Sequence, residues 1–354
     1  MTIVDRYVVR AVLLATAMVV GVMLAFAVVI TFIGEQGDVG QGHYTVLSAF
    51  WYALLNLPQQ AWDVMPIGVL IGSLLGLGQL ARGSELIVLR ASGVSVTRIA
   101  GSVLIAGFAL LAVEVVLGEL LAAPLLQVAK QEKAFERFSI ASLGQGGAWV
   151  RDGNLILEVT GLAATGRFGG VLVFDLSPKH RLVAVGHADY ARAGAHGRWL
   201  LSGYRQSEFT ADRVIASAEP QHALATHVTA GFLDLVSALP QNLPARALWT
   251  VIEYDRANAL DPSAYVFAFW SRIARTLAIV FAALLAVPFV LGSLRSAAQG
   301  SRMLVGLLIG LGFFFLQRMI ESGTVVFHLN PIVLAWLPTA LLATVTMGLL
   351  ARAR

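Results

Sequence analysis

The chain has 354 residues, 57% of them hydrophobic and only 13% charged, with a formal net charge of +4 and no cysteine. A soluble domain carries about 25% charged residues, so most of this chain is suited to a lipid surrounding, and disulfides, thiol catalysis and cysteine metal sites are excluded. The small positive balance is not a nucleic-acid signal, because the basic residues sit beside apolar stretches.

Between Arg10 and Glu35 lie 24 residues without a charge. Roughly 20 apolar residues cross a hydrocarbon core. Stretches of that kind near 11–33, 62–81, 99–121, 266–291, 303–320 and 332–350 predict six spans. The first is too long for the apolar part of a cleaved signal, and no small-x-small site ends it. Span two contains Gly68, Gly72 and Gly76, and span five contains Gly306 and Gly310. Small residues four apart let another helix approach closely in lipid; the alternative is ordinary membrane glycine.

Between spans two and three runs Ser84-Glu85-Leu86-Ile87-Val88-Leu89-Arg90-Ala91-Ser92-Gly93. Ser84 suits a helix N-cap, Glu85 the first turn and Gly93 a left-handed end. A helix this short is marginal alone and very apolar. It either lies on the membrane or docks into a groove on a cytoplasmic partner. Span three carries Glu114 and Glu119, and intramembrane carboxylates are functional candidates by default. Glu119 lies near the outer end; Glu114 is an intramembrane acid of uncertain role.

Beyond span three, Lys130 and Lys133 are three apart and share a helix face, with Arg137 close by. They form either a binding patch or a solvated one balanced by Glu132 and Glu136. The segments 122–145 and 230–262 are candidate hinges around an inserted all-β domain. Strands are expected at Ala148–Val150, Leu155–Val159, Gly170–Leu176, Leu182–Tyr190, Arg198–Phe209 and Arg213–Ala218, with a turn at Arg151-Asp152-Gly153-Asn154. Short strands at this spacing suggest a sandwich or jelly roll. Pro244–Leu260 reads as a helix with Pro244 at an early position. Arg272 and Arg275 fall in the outer part of span four, and Arg318 at the outer end of span five, where it could pair with Glu321.

Arg6, Arg10, Arg82, Arg90, Arg98, Arg295, Arg302, Arg352 and Arg354 fall on one side of the six spans, and no Lys or Arg lies between residues 34 and 63. The positive-inside rule makes both termini cytoplasmic and the insert periplasmic in a Gram-negative cell. The only lysines are Lys130, Lys133 and Lys179, and none sits in a phosphate-binding loop. No HExxH or other zinc spacing occurs among the seven histidines.

The Ser84–Gly93 segment resembles the coupling helix of the lipopolysaccharide export permeases, the LptF/LptG family. Asp5-Arg6-Tyr7, Gly40-Gln41-Gly42, Trp149 with Asp152-Gly153-Asn154, and Leu294-Arg295-Ser296 followed by Gly300 and Arg302 are similar to it as well. The resemblance covers nearly the whole chain. It implies a permease, not an enzyme, that extracts lipopolysaccharide from the inner membrane and passes it to a periplasmic bridge. The implied partners are an LptF-like permease, an LptB-like ATPase dimer and an LptC-like protein. ATP and Mg would be bound by the ATPase, with no cofactor in this chain.

On that reading the chain divides into 1–121, three spans with the coupling helix near 84–93; 122–262, a jelly-roll-like domain with flanking hinges; and 263–354, three more spans. Glu85, Leu86, Leu89 and Arg90 would meet the ATPase. Lys130, Lys133, Arg137, Arg272, Arg275 and Arg318 are candidate lipopolysaccharide ligands. Family members often carry a lysine near the outer end of span one, where this chain has Thr31. Rival readings are a lipid-modifying membrane enzyme using Glu114 or Glu119, and an envelope scaffold.

Overall fold

The computed structural model describes residues 3–138, 140–142, 147–163, 168–179, 181–193, 198–210, 212–226, 228–291, 299–323 and 330–352. In chain order its helices are α1 (Ile3–Glu35), α2 (Val46–Leu55), α3 (Leu57–Arg82), α4 (Glu85–Ala91), α5 (Val96–Val116), α6 (Ala123–Phe138), α7 (Ala230–Ser237), α8 (Ala245–Ala257), α9 (Ser263–Leu291), α10 (Gln299–Gly323) and α11 (Pro331–Arg352). Between α6 and α7 lie β1 (Ile140–Ser142), β2 (Ala148–Asp152), β3 (Leu155–Ala163), β4 (Phe168–Leu176), β5 (Leu182–Ala193), β6 (Arg198–Phe209) and β7 (Val214–Ala225).

The chain forms two compact units. One comprises Met1–Gly34, Ala53–Leu126 and Ser263–Arg354; the other Glu35–Tyr52 and Gln127–Pro262. The first is a bundle of long apolar helices. Among the described residues, five helical segments have the length and composition of a membrane crossing: Ile3–Asp38, Leu57–Arg82, Val96–Glu136, Ser263–Leu291 and Pro331–Arg352. The expected span at 303–320 falls within α10, whose apolar part, over the described residues, is Leu307–Ile320. The bundle core is built around Val69, Leu77, Ile99, Val103, Ile279 and Leu285. The glycine seam of α3 lies on α1. A Cβ at Gly72 would stand 2.3 Å from Thr16 Cα, and one at Gly76 2.8 Å from the Ala11 carbonyl oxygen.

The segment expected as a hinge after span three begins as helix. A π-helical turn, Leu117–Ala122, joins α5 to α6. Pro124 has no N–H to offer the previous turn, and the wider π turn absorbs that defect without ending the helix.

The second unit contains one antiparallel sheet in the order β1-β3-β4-β5-β6-β7, with β2 also on β3. β1 pairs with Gly161–Ala163 and β2 with Leu155–Val159, so the two occupy one edge of β3 in succession. The other described pairings join sequence neighbours, a meander without Greek-key crossovers. β7 runs seven residues beyond the expected end at Ala218. Pro220 lies within it, and an edge strand tolerates a residue that cannot donate to a ladder.

Inward-facing Val150, Leu157, Val171, Ala188 and Leu201 form the sheet core. Phe168 stacks on Trp199 at 5.1 Å, and the Trp199 indole donates to the Val228 carbonyl at 2.9 Å. The second expected hinge contains α7 and α8, and Pro244 is the residue just before α8. The Tyr254 hydroxyl of α8 bonds both the N–H and the carbonyl of Arg151 at 2.6 Å.

Burial, and secondarily the Asp261 charge, push the Asp255 carboxyl up to about 6. A carboxyl raised in the folded state binds more protons folded than unfolded, so its contribution to stability falls as pH rises from about 4 to about 6. Asp255→Asn is expected to flatten that part of the stability–pH profile and to raise the unfolding midpoint at pH 7, as followed by circular dichroism.

Candidate functional site

Three groups of side chains carry charge or exposed apolar surface at defined places. The first surrounds α4. Ser84 is not a side-chain cap: its φ of 59° is left-handed and its hydroxyl makes no cap hydrogen bond. Gly93 at φ +92° does take the expected left-handed conformation. Glu85 accepts a 2.6 Å hydrogen bond from the Tyr7 hydroxyl of α1. Asp5, two residues before Tyr7, meets Arg98 at 3.7 Å and accepts from the Ser102 hydroxyl at 3.1 Å. The start of α1 thus braces both ends of the α4 loop.

The helix turns a different face outward than the sequence implied. Leu86 is 2% exposed and Leu89 packs on the bundle core, so both hold α4 to its own chain. Ile87 and Val88 are 65% and 64% exposed, and Arg90 is exposed beside them. A docking partner would meet Ile87, Val88 and Arg90, with the half-buried Glu85 at the rim. Periodicity within seven residues could not separate the two faces, because all four central residues are apolar.

The second group lies inside the bundle. Arg272 of α9 is 7% exposed; it pairs with Glu119 and donates to the Gly118 carbonyl, both in the π turn. Arg275, one turn on, donates to the Trp62 carbonyl at 2.8 Å and reaches Asp63 Oδ1 at 3.4 Å. The Trp62 ring lies 4.5 Å from the Arg272 guanidinium and 4.1 Å from that of Arg275, within cation–π range of both. Gly118 permits this approach, since a Cβ there would stand 2.4 Å from Trp62 Nε1. Glu114 is fully buried, and neither of its oxygens has a hydrogen-bond partner. Arg272 and Arg275 are therefore engaged in the bundle interior rather than presented on an outer rim. The sequence offered one overlooked signal: Trp62-Asp63 at the edge of span two, a potential counter-charge for the arginines of span four.

Arg318 of α10 is exposed, 5.9 Å from the Phe314 ring, beside a small pocket that also includes Asp63, Pro66, Arg275 and Gln317. Its expected pairing with Glu321 lies outside the described side chains, as do Arg137 and Arg302; Leu294-Arg295-Ser296 lies outside the described residues. Thr31 accepts a 2.6 Å hydrogen bond from the Gln60 side chain, tying α1 to α3 where relatives were expected to have a lysine. Nearer the other end of the same helix pair, an apolar cavity of about 750 Å³ is lined by Leu14, Met18, Val22, Leu75, Gln79 and Arg82, among others.

The third group surrounds Lys133. Its ammonium contacts Glu35 at 2.6 Å and Asp38 at 2.8 Å, and lies over the Tyr52 and Tyr44 rings at 5.0 and 5.9 Å. Tyr44 donates to the same Glu35 at 2.9 Å. Burial, and then that hydrogen bond, push the Tyr44 phenol above its usual range. Lys133 is thus neither solvated nor balanced by Glu132 and Glu136; it ties α6 to residues that precede α2. Lys130, one turn earlier, is exposed. Lys133→Met would strand two carboxylates whose side chains are 12% and 26% exposed. A fully buried pair loses about 3–5 kcal/mol in that way. Solvent screening reduces the expected cost here to roughly 2–3 kcal/mol, measurable by denaturant unfolding, with Lys130→Met nearly silent.

Two curated relatives align over 353 residues, covering 99% of this chain and 98% of each relative: the lipopolysaccharide export system permease proteins LptG of Escherichia coli strain K12, at 29% identity, and of Haemophilus influenzae, at 26%. The model of the lipopolysaccharide export system permease LptF/LptG family matches residues 6–352, which takes in the α4 brace, the arginine–tryptophan cluster and the inserted sheet, and the chain belongs to that family.

Proposed function

We propose that the chain is an LptG-type permease subunit of an ATP-driven complex that extracts lipopolysaccharide from the inner membrane and hands it to a periplasmic bridge. The observation that carries this reading is the family match over residues 6–352 of a chain whose α4 is braced on its own bundle yet exposes Ile87, Val88 and Arg90. The remaining partners are an LptB-like ATPase dimer, which binds ATP and Mg, an LptF-like permease and an LptC-like protein.

In this reading both termini and α4 are cytoplasmic. The inserted domain, 122–262, is a periplasmic exit platform built on the antiparallel sheet, and in sequence it lies between the spans of 1–121 and 263–354. Glu85 and Arg90 supply the charges of the ATPase dock, Ile87 and Val88 its apolar surface, and Leu86 and Leu89 its anchor. Among the headgroup candidates, the exposed Lys130 makes first contact with lipid phosphates, and Arg137 and Arg318 are further ligands. Lys133, Arg272 and Arg275 bind a phosphate only after leaving their present carboxylate or carbonyl partners.

A lipid-modifying enzyme gains no support from Glu114, which no substrate reaches in its buried position. Co-expression of the chain with its genomic neighbours tests the proposal. An ATPase and a second permease should co-purify with it, and the reconstituted complex should release lipopolysaccharide from vesicles only with ATP. Purification of the chain alone, or ATP-independent release, would overturn it.

A further inference from the structure

Buried polar atoms in folded proteins almost always have partners, and one that lacks them calls for a physical explanation. Glu114 on α5 has two such atoms. Around it, α3 supplies Asp63 and α9 supplies Arg272 and Arg275; Glu119 of the π turn pairs with Arg272, and Arg318 of α10 lines the pocket shared by Asp63 and Arg275. Two of these arginines already face two carboxylates: Arg272 is held by Glu119 and the Gly118 carbonyl, and Arg275 by Asp63.

The second pair is the weaker one. A well-formed N–H···O bond measures about 2.7–3.2 Å, whereas Arg275 reaches Asp63 at 3.4 Å. Its firm bond, at 2.8 Å, is to the Trp62 carbonyl. A guanidinium has five donors in a rigid fork, so a small rotation of α9 can exchange one acceptor for another.

We propose that Glu114 is the alternative counter-ion of Arg275, receiving the guanidinium from Asp63 in a second arrangement of α3, α5 and α9. Two carboxylates on different helices then share one arginine, and each defines one arrangement. Glu114 is a positioning residue: it acts through Arg275. That the second arrangement belongs to the transport cycle rests on the permease reading; the existence of the shared arginine does not.

Asp63→Asn, Glu114→Gln and the double variant, made in the full chain co-expressed with its partner subunits, test this. Each single variant should keep near-wild-type yield and thermal midpoint, because the other carboxylate still serves Arg275. The double variant should lose at least fivefold more folded protein than the product of the single effects. Additive effects, or a single variant that fails to fold, would overturn the shared arginine.

In the reconstituted complex, Glu114→Gln should lower lipid-stimulated ATP turnover at least tenfold while leaving basal turnover intact, and Glu114→Asp should restore part of it. A packing role alone would leave the isosteric glutamine as active as glutamate, and that result would also overturn the proposal. Failure of an ATPase to co-purify would count against the permease reading, with the stability comparison still decisive for Glu114.

Discussion

Glu85→Ala is expected to weaken ATPase association at least tenfold, or to leave an assembled complex that hydrolyses ATP without moving lipid. The carboxylate sits at the edge of the exposed Ile87–Val88 surface and is held there by the Tyr7 hydroxyl at 2.6 Å. A partner that brings a cation to this rim completes a charge pair as water is excluded. Truncating one member then leaves the other desolvated and unpaired, which costs about 2–5 kcal/mol at interfaces. Tenfold corresponds to about 1.4 kcal/mol, a conservative expectation for a carboxylate that is only half-buried. Tyr7→Phe removes the brace but keeps the charge and should give a smaller loss of the same kind. Ile87→Asp should weaken association as Glu85→Ala does, whereas Leu86→Asp should damage folding of the chain itself, because Leu86 lies in the bundle core. Pull-down of the ATPase together with lipid release measures both quantities. Wild-type values of both for Glu85→Ala would refute the dock.

Gly72→Val is expected to have the largest effect on folding. The added Cβ would lie 2.3 Å from Thr16 Cα and 2.7 Å from Thr16 N, backbone atoms that cannot rotate away. Overpacking a core typically costs about 1–3 kcal/mol when side chains can adjust. Here α1 as a whole must move off α3, so loss should exceed that range and appear as aggregation or absence of the chain from the membrane fraction. Gly101→Ala, where nothing lies within 4 Å, provides the matched control and should leave yield and thermal midpoint unchanged. Equal behaviour of the two variants would show that the α1–α3 seam contributes little.

Much of the fold was legible because its signals are local. Apolar runs of span length, the Asp152-Gly153-Asn154 turn and the helix after Pro244 depend on neighbours in sequence, and all have counterparts in the structure. The places that were not legible share one cause. Within the segments expected as hinges, 122–145 and 230–262, the helix after Pro244 was readable, but the π turn that carries α5 into α6 and the packing of α7 on the sheet core depend on distant residues. β7 outlasts its expected end because an edge position makes Pro220 harmless, and edge or centre is a property of the finished sheet.

The candidate site divides in the same way. Residue types at span boundaries sufficed to mark Glu85, Glu114, Lys133, Arg272 and Arg275 as unusual, since a charge in or beside lipid needs a reason. Their partners are 78 residues apart for Tyr7–Glu85, 153 for Glu119–Arg272 and 212 for Asp63–Arg275. No spacing rule reaches that far. The sequence by itself determined membrane residence, the inserted all-β domain and the family, because apolar length, strand composition and full-length similarity are sums along the chain. Only the tertiary structure decided which face of α4 is free, that Lys133 is clamped by Glu35 and Asp38, and that Glu114 lacks the partner Asp63 has. Each of those depends on which distant helix supplies the counter-charge, and that is set by packing.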